Sequence, residues 1–198
     1  MNWAKALRMH QWVKNLLLFI PLITAHKIFT FYLLNEVLFA FISFSLVASA
    51  GYIFNDIYDI QEDRVHPLKN KRPFASGELS IKQGILIILC LLLISFGISF
   101  SLVNLFKYIL ITYLVLSMSY TVWIKKYVLL DVVILAIFYN IRIIAGGIAV
   151  NIPISSWLLN FSMFFFMSLA FIKRYGELIH LKNSNMILSN RGYLLKDA

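Results

Sequence analysis

At 198 residues, with 61% hydrophobic side chains, 16% aromatic and only 14% charged, the chain is too apolar for an ordinary soluble domain and reads as a polytopic membrane protein. The net charge of +9 invites a nucleic-acid partner, but the basic residues fall in alternate loops instead of one patch, which excludes that reading and signals membrane topology. The lone Cys90 lies inside an apolar run, so no intrachain disulfide is available.

The first stretch, MNWAKALRMHQWVKNLLLFIPLITAHKIF, opens as a basic, aromatic amphipathic segment and enters the membrane near Leu16. Trp3 and Trp12 suit the headgroup interface. Pro21 and Lys27 interrupt the apolar run, which predicts a kinked first span. Lys14 and Asn15 either face a bundle interior or, for Lys14, snorkel at the interface. No short apolar region ends in a small-residue cleavage site, so no cleavable leader is expected. A second span is predicted over residues 37–54, where Ser45, Ala48 and Ser49 make a small-residue face that a neighbouring helix can approach closely. A third, over 81–103, is almost wholly apolar. A fourth runs over 108–124, with Lys125 and Lys126 holding its cytoplasmic end.

A fifth span begins near residue 129 and carries Asp131, Tyr139 and Arg142 ahead of the AGG at 145–147. Asp131 and Arg142 lie roughly 16 Å apart along a helix and project from nearly one face. An arginine at that depth is costly and is a functional candidate by default. A sixth span covers 157–172 and finishes in KRYGEL, which brings Lys173 and Glu177 to the membrane edge. Lipid offers backbone groups no water and these segments exceed the roughly 9–11 residues of a barrel strand, so all are read as helices. With the N-terminus cytoplasmic, Lys5, Arg8, Lys14, the basic residues of 64–82, Lys125, Lys126, Lys173, Arg174, Lys182, Arg191 and Lys196 fall inside, while Lys27 and Lys107 fall outside. That asymmetry is a positive-inside signal.

Between the second and third spans lies the polar stretch 55–77, NDIYDIQEDRVHPLKNKRPFASG. Asp56, Asp59 and Asp63 recur at spacings of three and four, so a helix continuing through them gathers three carboxylates on one face. At a helix C-terminus they meet mutual repulsion and the negative end of the macrodipole. A hard divalent ion with oxygen ligands offsets that cost, most naturally Mg2+ sharing its shell with a substrate phosphate. The three aspartates are therefore the expected catalytic metal ligands. His66 precedes a proline and is read as shaping the loop, and Glu62 as pairing with a basic neighbour.

This stretch resembles the UbiA superfamily of intramembrane prenyltransferases, whose first motif has the form NDxxDxxxD followed by HPxKxxRPxxSG. The resemblance extends over essentially the whole chain through RMHQWVKNLLLFIPL, LLDVVILAIFYNIRIIAGG and SLAFIKRYGEL. These are most similar to the branch that transfers phosphoribose to a polyprenyl phosphate, the decaprenyl-phosphate phosphoribosyltransferase-like proteins. The resemblance implies an all-α transmembrane bundle with nine spans, an active site open to the cytoplasm, a lateral path for the lipid chain and a second acidic motif between the sixth and seventh spans. About six spans are counted here, so residues 1–198 are expected to form a single UbiA-like domain short of its C-terminal helices, with Glu177 and Asp197 as the remaining acidic candidates.

On the same resemblance, Asp56, Asp59 and Asp63 hold Mg2+ against the diphosphate of phosphoribosyl pyrophosphate, with Asn55 beside them. Lys69, Lys71 and Arg72 contact phosphate oxygens, in competition with a role as an anchor on anionic headgroups. Lys14, Tyr139 and Arg142 lie near the lipid phosphate or sugar, and Lys173 and Glu177 join the substrate-binding set. The expected reaction is Mg2+-dependent transfer of phosphoribose to a polyprenyl phosphate. A prenyltransferase moving a polyprenyl group from its diphosphate to an aromatic acceptor such as 4-hydroxybenzoate, and a non-catalytic lipid-binding protein, are the alternatives. A bacterial inner-membrane protein with a cytoplasmic N-terminus and no nucleic-acid partner is expected, and homo-oligomerisation is left open.

Overall fold

The computed structural model describes residues 2–184; Arg191, Lys196 and Asp197 lie outside them. Every regular element among the described residues is helical. A short α1 (Asn2–Leu7) leads into a 3-10 segment (Met9–Phe19) and α2 (Ile20–Thr24); α3 (Phe31–Tyr58) and α4 (Ile60–Val65) follow. The chain continues through α5 (Ile81–Ser99), α6 (Asn104–Val122), α7 (Val128–Ala149) and α8 (Ser156–Ser184), with single 3-10 turns at Lys69–Lys71 and Ile124–Lys126.

Among the described residues, five helices are long and apolar enough to cross a membrane: α3, α5, α6, residues Leu129–Ala149 of α7 and Ser156–Gly176 of α8. The first expected span takes a different form. Its residues wind as the 3-10 segment and then as the five-residue α2, with Pro21 in the first turn and His26 at φ 55 just beyond. Proline removes a backbone donor at the point where an α-helix would have to continue, and polar side chains hold the segment to its neighbours instead.

α3 and α7 form the middle of the bundle. α5 packs along α3, α8 along α7, and the 3-10 segment lies across both α3 and α7. The main core gathers Leu18, Leu22, Phe44, Val47, Phe106, Leu110, Tyr113 and Ala145. The small residues of α3 receive the 3-10 segment and not a full helix: Trp12 Nε1 donates to Ser49 Oγ at 3.0 Å and Asn15 Nδ2 to Ser45 Oγ at 2.8 Å.

A second cluster, including Ala6, Ile53, Ile60, Phe74, Leu79 and Leu91, fastens the polar loop to the end of the bundle. Phe74 is its wedge, buried against α5 where Gly84 leaves room: a Cβ there would stand 2.7 Å from the Phe74 ring. Ser80 and Gln83 start α5 with a reciprocal capping box, Gln83 N donating to Ser80 Oγ at 3.3 Å and Ser80 N to Gln83 Oε1 at 3.0 Å. The loop therefore returns to a fixed point, which is what lets Arg72 be aimed.

Candidate active site

The helix expected to run through all three aspartates breaks at the middle one. α3 ends at Tyr58, Asp59 takes φ −90 and ψ 11, and α4 restarts at Ile60. Asp56 and Asp63 stay together; Asp59 does not stay with them. Arg72 Nη1 donates to Asp56 Oδ1 at 3.1 Å and to Asp63 Oδ2 at 2.6 Å, so one cationic nitrogen bridges two buried carboxylates. Asp56 is also paired with Arg8, and Asp59 with Lys125. Among the described residues, no three His, Cys, Asp or Glu side chains form one metal-holding group. The expectation of a single three-aspartate face is corrected to a pair plus a separate aspartate, the cause being the turn at Asp59.

Each cation reaches its aspartate by a specific local device. Arg8 sits at φ 50 and ψ 46 between α1 and the 3-10 segment, a left-handed conformation uncommon for a side-chain-bearing residue. It lies over the Tyr52 ring at 5.3 Å. Lys125 belongs to the 3-10 turn after α6 and is buried against Asp59 and the Tyr58 ring. On sequence it marks, with Lys126, the cytoplasmic end of the fourth span; the structure adds that its side chain is buried on an aspartate. His66 Nδ1 accepts from the backbone N–H groups of Leu68 and Lys69 at 3.2 and 3.3 Å, in keeping with a loop-shaping role.

The remaining expected site residues divide. Asn55 Oδ1 accepts from Thr121 Oγ1 at 3.3 Å, beside the aspartates. Lys69 is half-buried and Lys71 exposed, both in the turn that leads to Arg72. Arg72 itself meets carboxylates where phosphate was expected.

Arg142 is buried on α7 and wholly occupied by neutral groups. It donates from Nε to Asn15 Oδ1 at 2.8 Å, from Nη1 to the Phe138 carbonyl at 2.5 Å and from Nη2 to Tyr113 Oη at 3.0 Å. The rings of Phe44, Tyr113 and Tyr139 surround it at 5.2 to 5.8 Å. Tyr139 also stacks on Phe166 at 4.2 Å, so its ring serves packing between α7 and α8. Lys14 is half-buried on the 3-10 segment. Burial first, then the positive charges of Lys173, Arg142 and Arg8, pulls its ammonium down from 10.5 to about 8. Lys14, Arg142 and Arg8 thus share a field of positive charge, with exposed Lys173 at its rim. Glu177 lies on α8, and its side chain falls outside the described residues.

Sequence reasoning missed three partners. Arg8 and Lys125 read as topology markers, and Asp131 was grouped with Arg142 on spacing alone. Asp131 instead takes Arg174 of α8, with Tyr120 Oη donating to Asp131 Oδ1 at 2.6 Å. The one signal that pointed to it was KRYGEL, where a basic pair meets the end of an apolar run.

Known proteins with this arrangement give the fold and the sequence their context. Residues 16–180 match the UbiA prenyltransferase family. The chain is 40% identical over 203 residues to nodulation protein NoeC of Azorhizobium caulinodans, covering 100% of this chain and 64% of that protein. It is 34% identical over 179 residues to the decaprenyl-phosphate phosphoribosyltransferase of Mycobacterium tuberculosis (strain H37Rv), covering 88% of this chain and 59% of that one. Its backbone superposes on a UbiA homolog from Archaeoglobus fulgidus bound to DMAPP and Mg2+ with a TM-score of 0.74 at 18% identity, over 85% of this chain and 61% of that chain. The chain thus spans less than two thirds of the length of these relatives. An all-helical membrane bundle, the NDxxDxxxD stretch at its polar end and a match over residues 16–180 agree: the chain belongs to the UbiA prenyltransferase family.

Proposed function

We propose that this chain carries the diphosphate-binding half of a UbiA-type transferase site, and that the donor is phosphoribosyl pyrophosphate and the acceptor a polyprenyl phosphate. The observation that carries the reading is the convergence of buried Asp56 and Asp63 on one cationic nitrogen. Two hard oxygen donors around a cation-sized point are the donor chemistry that suits Mg2+. The similarity to the mycobacterial phosphoribosyltransferase supports the choice of donor.

Asp56 and Asp63 would hold the metal, with Asp59 at the adjoining turn. When bound, Mg2+ supplies Lewis-acid stabilisation of the charge that grows on the departing diphosphate. Arg72, with Lys69 and Lys71 in the same loop, offers donors to phosphate oxygens. Lys14 and Lys173 attract the acceptor phosphate, and Arg142 fixes the 3-10 segment that carries Lys14 by holding Asn15. The bond from the anomeric carbon to diphosphate breaks, a lipid phosphate oxygen forms the new bond to that carbon, and diphosphate leaves. The attacking oxygen is already anionic, so the residues have to align it and need not deprotonate it. The basic loops support a cytoplasmic position for this end of the bundle.

Membranes holding the full chain are incubated with labelled phosphoribosyl pyrophosphate and a polyprenyl phosphate, and in parallel with a polyprenyl diphosphate and 4-hydroxybenzoate. A lipid-linked phosphoribosyl product that Asp56→Asn and Asp59→Asn abolish is expected. Prenylated aromatic product alone would replace this reading with prenyl transfer. Lipid binding without turnover of either pair would replace it with a non-catalytic role.

A further inference from the structure

All three motif aspartates are already neutralised from within the chain. Arg72 bridges Asp56 and Asp63, Arg8 takes a second place on Asp56, and Lys125 closes on Asp59. Asp56, Asp63 and Lys125 are buried, so none of these charges is balanced by water. The three cations come from three separate parts of the chain: the start of the 3-10 segment, the loop after α4 and the turn before α7.

We propose that Arg8, Arg72 and Lys125 are exchangeable counter-ions that keep the aspartates closed to a lone divalent cation and open to one that arrives with a diphosphate group. The inference rests on the diphosphate-site reading above and adds to it a rule for loading.

The physical reason is charge balance around two buried carboxylates. A divalent cation on buried Asp56 and Asp63 displaces Arg72 and leaves its half-buried guanidinium without its anion, a cost that grows with the burial of the pair. A diphosphate alone draws the arginines and the lysine away and leaves buried carboxylates exposed to one another, at the same kind of cost. Together, the metal takes the carboxylates and the phosphate oxygens take the cations, and no charge is stranded. Arg72 is suited to the exchange because its planar fork donates to carboxylate and phosphate oxygens in the same geometry. Coupling of this kind is reciprocal: the diphosphate must strengthen metal binding by the factor with which the metal strengthens diphosphate binding.

The test follows thermal unfolding of the detergent-purified full chain by tryptophan fluorescence, with no ligand, with MgCl2, with inorganic diphosphate, and with both at matched ionic strength. A ligand that binds only the folded state raises the melting temperature. The expected result is a rise with both ligands that clearly exceeds the sum of the rises with each alone. Arg72→Gln should gain a response to MgCl2 alone. A rise with both equal to the sum of the separate rises overturns the exchange and leaves the proposed diphosphate site standing. No rise under any condition overturns that site and the exchange with it. The four-way comparison on the unaltered chain decides the matter even if Arg72→Gln does not fold.

Discussion

A Cβ at Gly146 would stand 2.0 Å from the carbonyl oxygen of Leu18. α7 and the 3-10 segment therefore meet backbone to backbone, and this contact sets how near Asn15 comes to Arg142. Gly146→Ala forces the two apart, and overpacking of this kind costs about 1–3 kcal/mol. The expected outcome is a lower melting temperature in detergent. Gly97, whose added Cβ would meet nothing within 4 Å, provides the contrast. Gly97→Ala should be neutral or slightly stabilising, since Gly within a helix costs roughly 0.5–1 kcal/mol relative to Ala. Equal melting temperatures for the two variants would refute the close-approach argument.

The same contact makes Arg142 a structural post as well as a source of charge. Its guanidinium reaches Asn15, Phe138 and Tyr113 from three directions. A lysine ammonium on a flexible stem cannot reproduce that planar fork. Arg142→Lys is therefore expected to destabilise the bundle nearly as much as Arg142→Met. A double-mutant cycle with Asn15→Ala should return a coupling energy of about 0.5–3 kcal/mol, the range for residues in direct contact. Additive effects of the two substitutions would show that the pair does not act together.

The spans of α3, α5, α6, α7 and α8 were legible because hydropathy depends on composition alone, and the polar stretch 55–77 announced itself as the acidic interruption between two of them; the expected first span was not, because composition does not reveal its 3-10 winding. What the sequence could not carry was which cation meets which aspartate. Arg8 lies 48 positions from Asp56 and Lys125 lies 66 from Asp59, and no local spacing encodes contacts of that range. The aspartate periodicity misled for a local reason: spacings of three and four imply a shared face only while the helix continues, and it turns at Asp59. Ser45 and Ser49 were rightly read as a close-packing face, but serine spacing does not say whether an α-helix or a 3-10 segment lies against it.

Lys14 sets a pH dependence whose direction follows from its lowered pKa. Between about 8 and 10.5 the unfolded chain keeps a proton that the folded chain has shed, so the contribution of this group makes stability rise with pH across that window. The proposed attraction for an acceptor phosphate moves the opposite way, because the ammonium is lost as pH climbs through about 8. Affinity for a polyprenyl phosphate, measured by flotation with liposomes between pH 7 and pH 9.5, is expected to weaken over the upper part of that range. Lys14→Arg should flatten the profile, since guanidinium stays charged throughout. An unchanged profile in Lys14→Arg would assign the pH dependence to another group.

Asp131 and Arg174 join α7 to α8 through a buried pair in which Arg174 uses both Nε and Nη2, the latter at 3.0 Å from Asp131 Oδ1. Tyr120 adds a hydrogen bond from α6, so three helices share one charged knot. Such a knot need not stabilise the fold relative to apolar packing, but removing one member strands a buried charge at a cost of about 3–5 kcal/mol. Asp131→Asn and Arg174→Met should each lower the melting temperature sharply. Joining them in Asp131→Leu/Arg174→Met should recover most of the loss, because no unpaired charge then remains. Tyr120→Phe removes one hydrogen bond to a charged group, worth about 1.5–3 kcal/mol, and should fall between the single variants and the unaltered chain. If the double variant melts lower than either single one, the three helices need the ion pair itself, and the stranded-charge account of this junction fails.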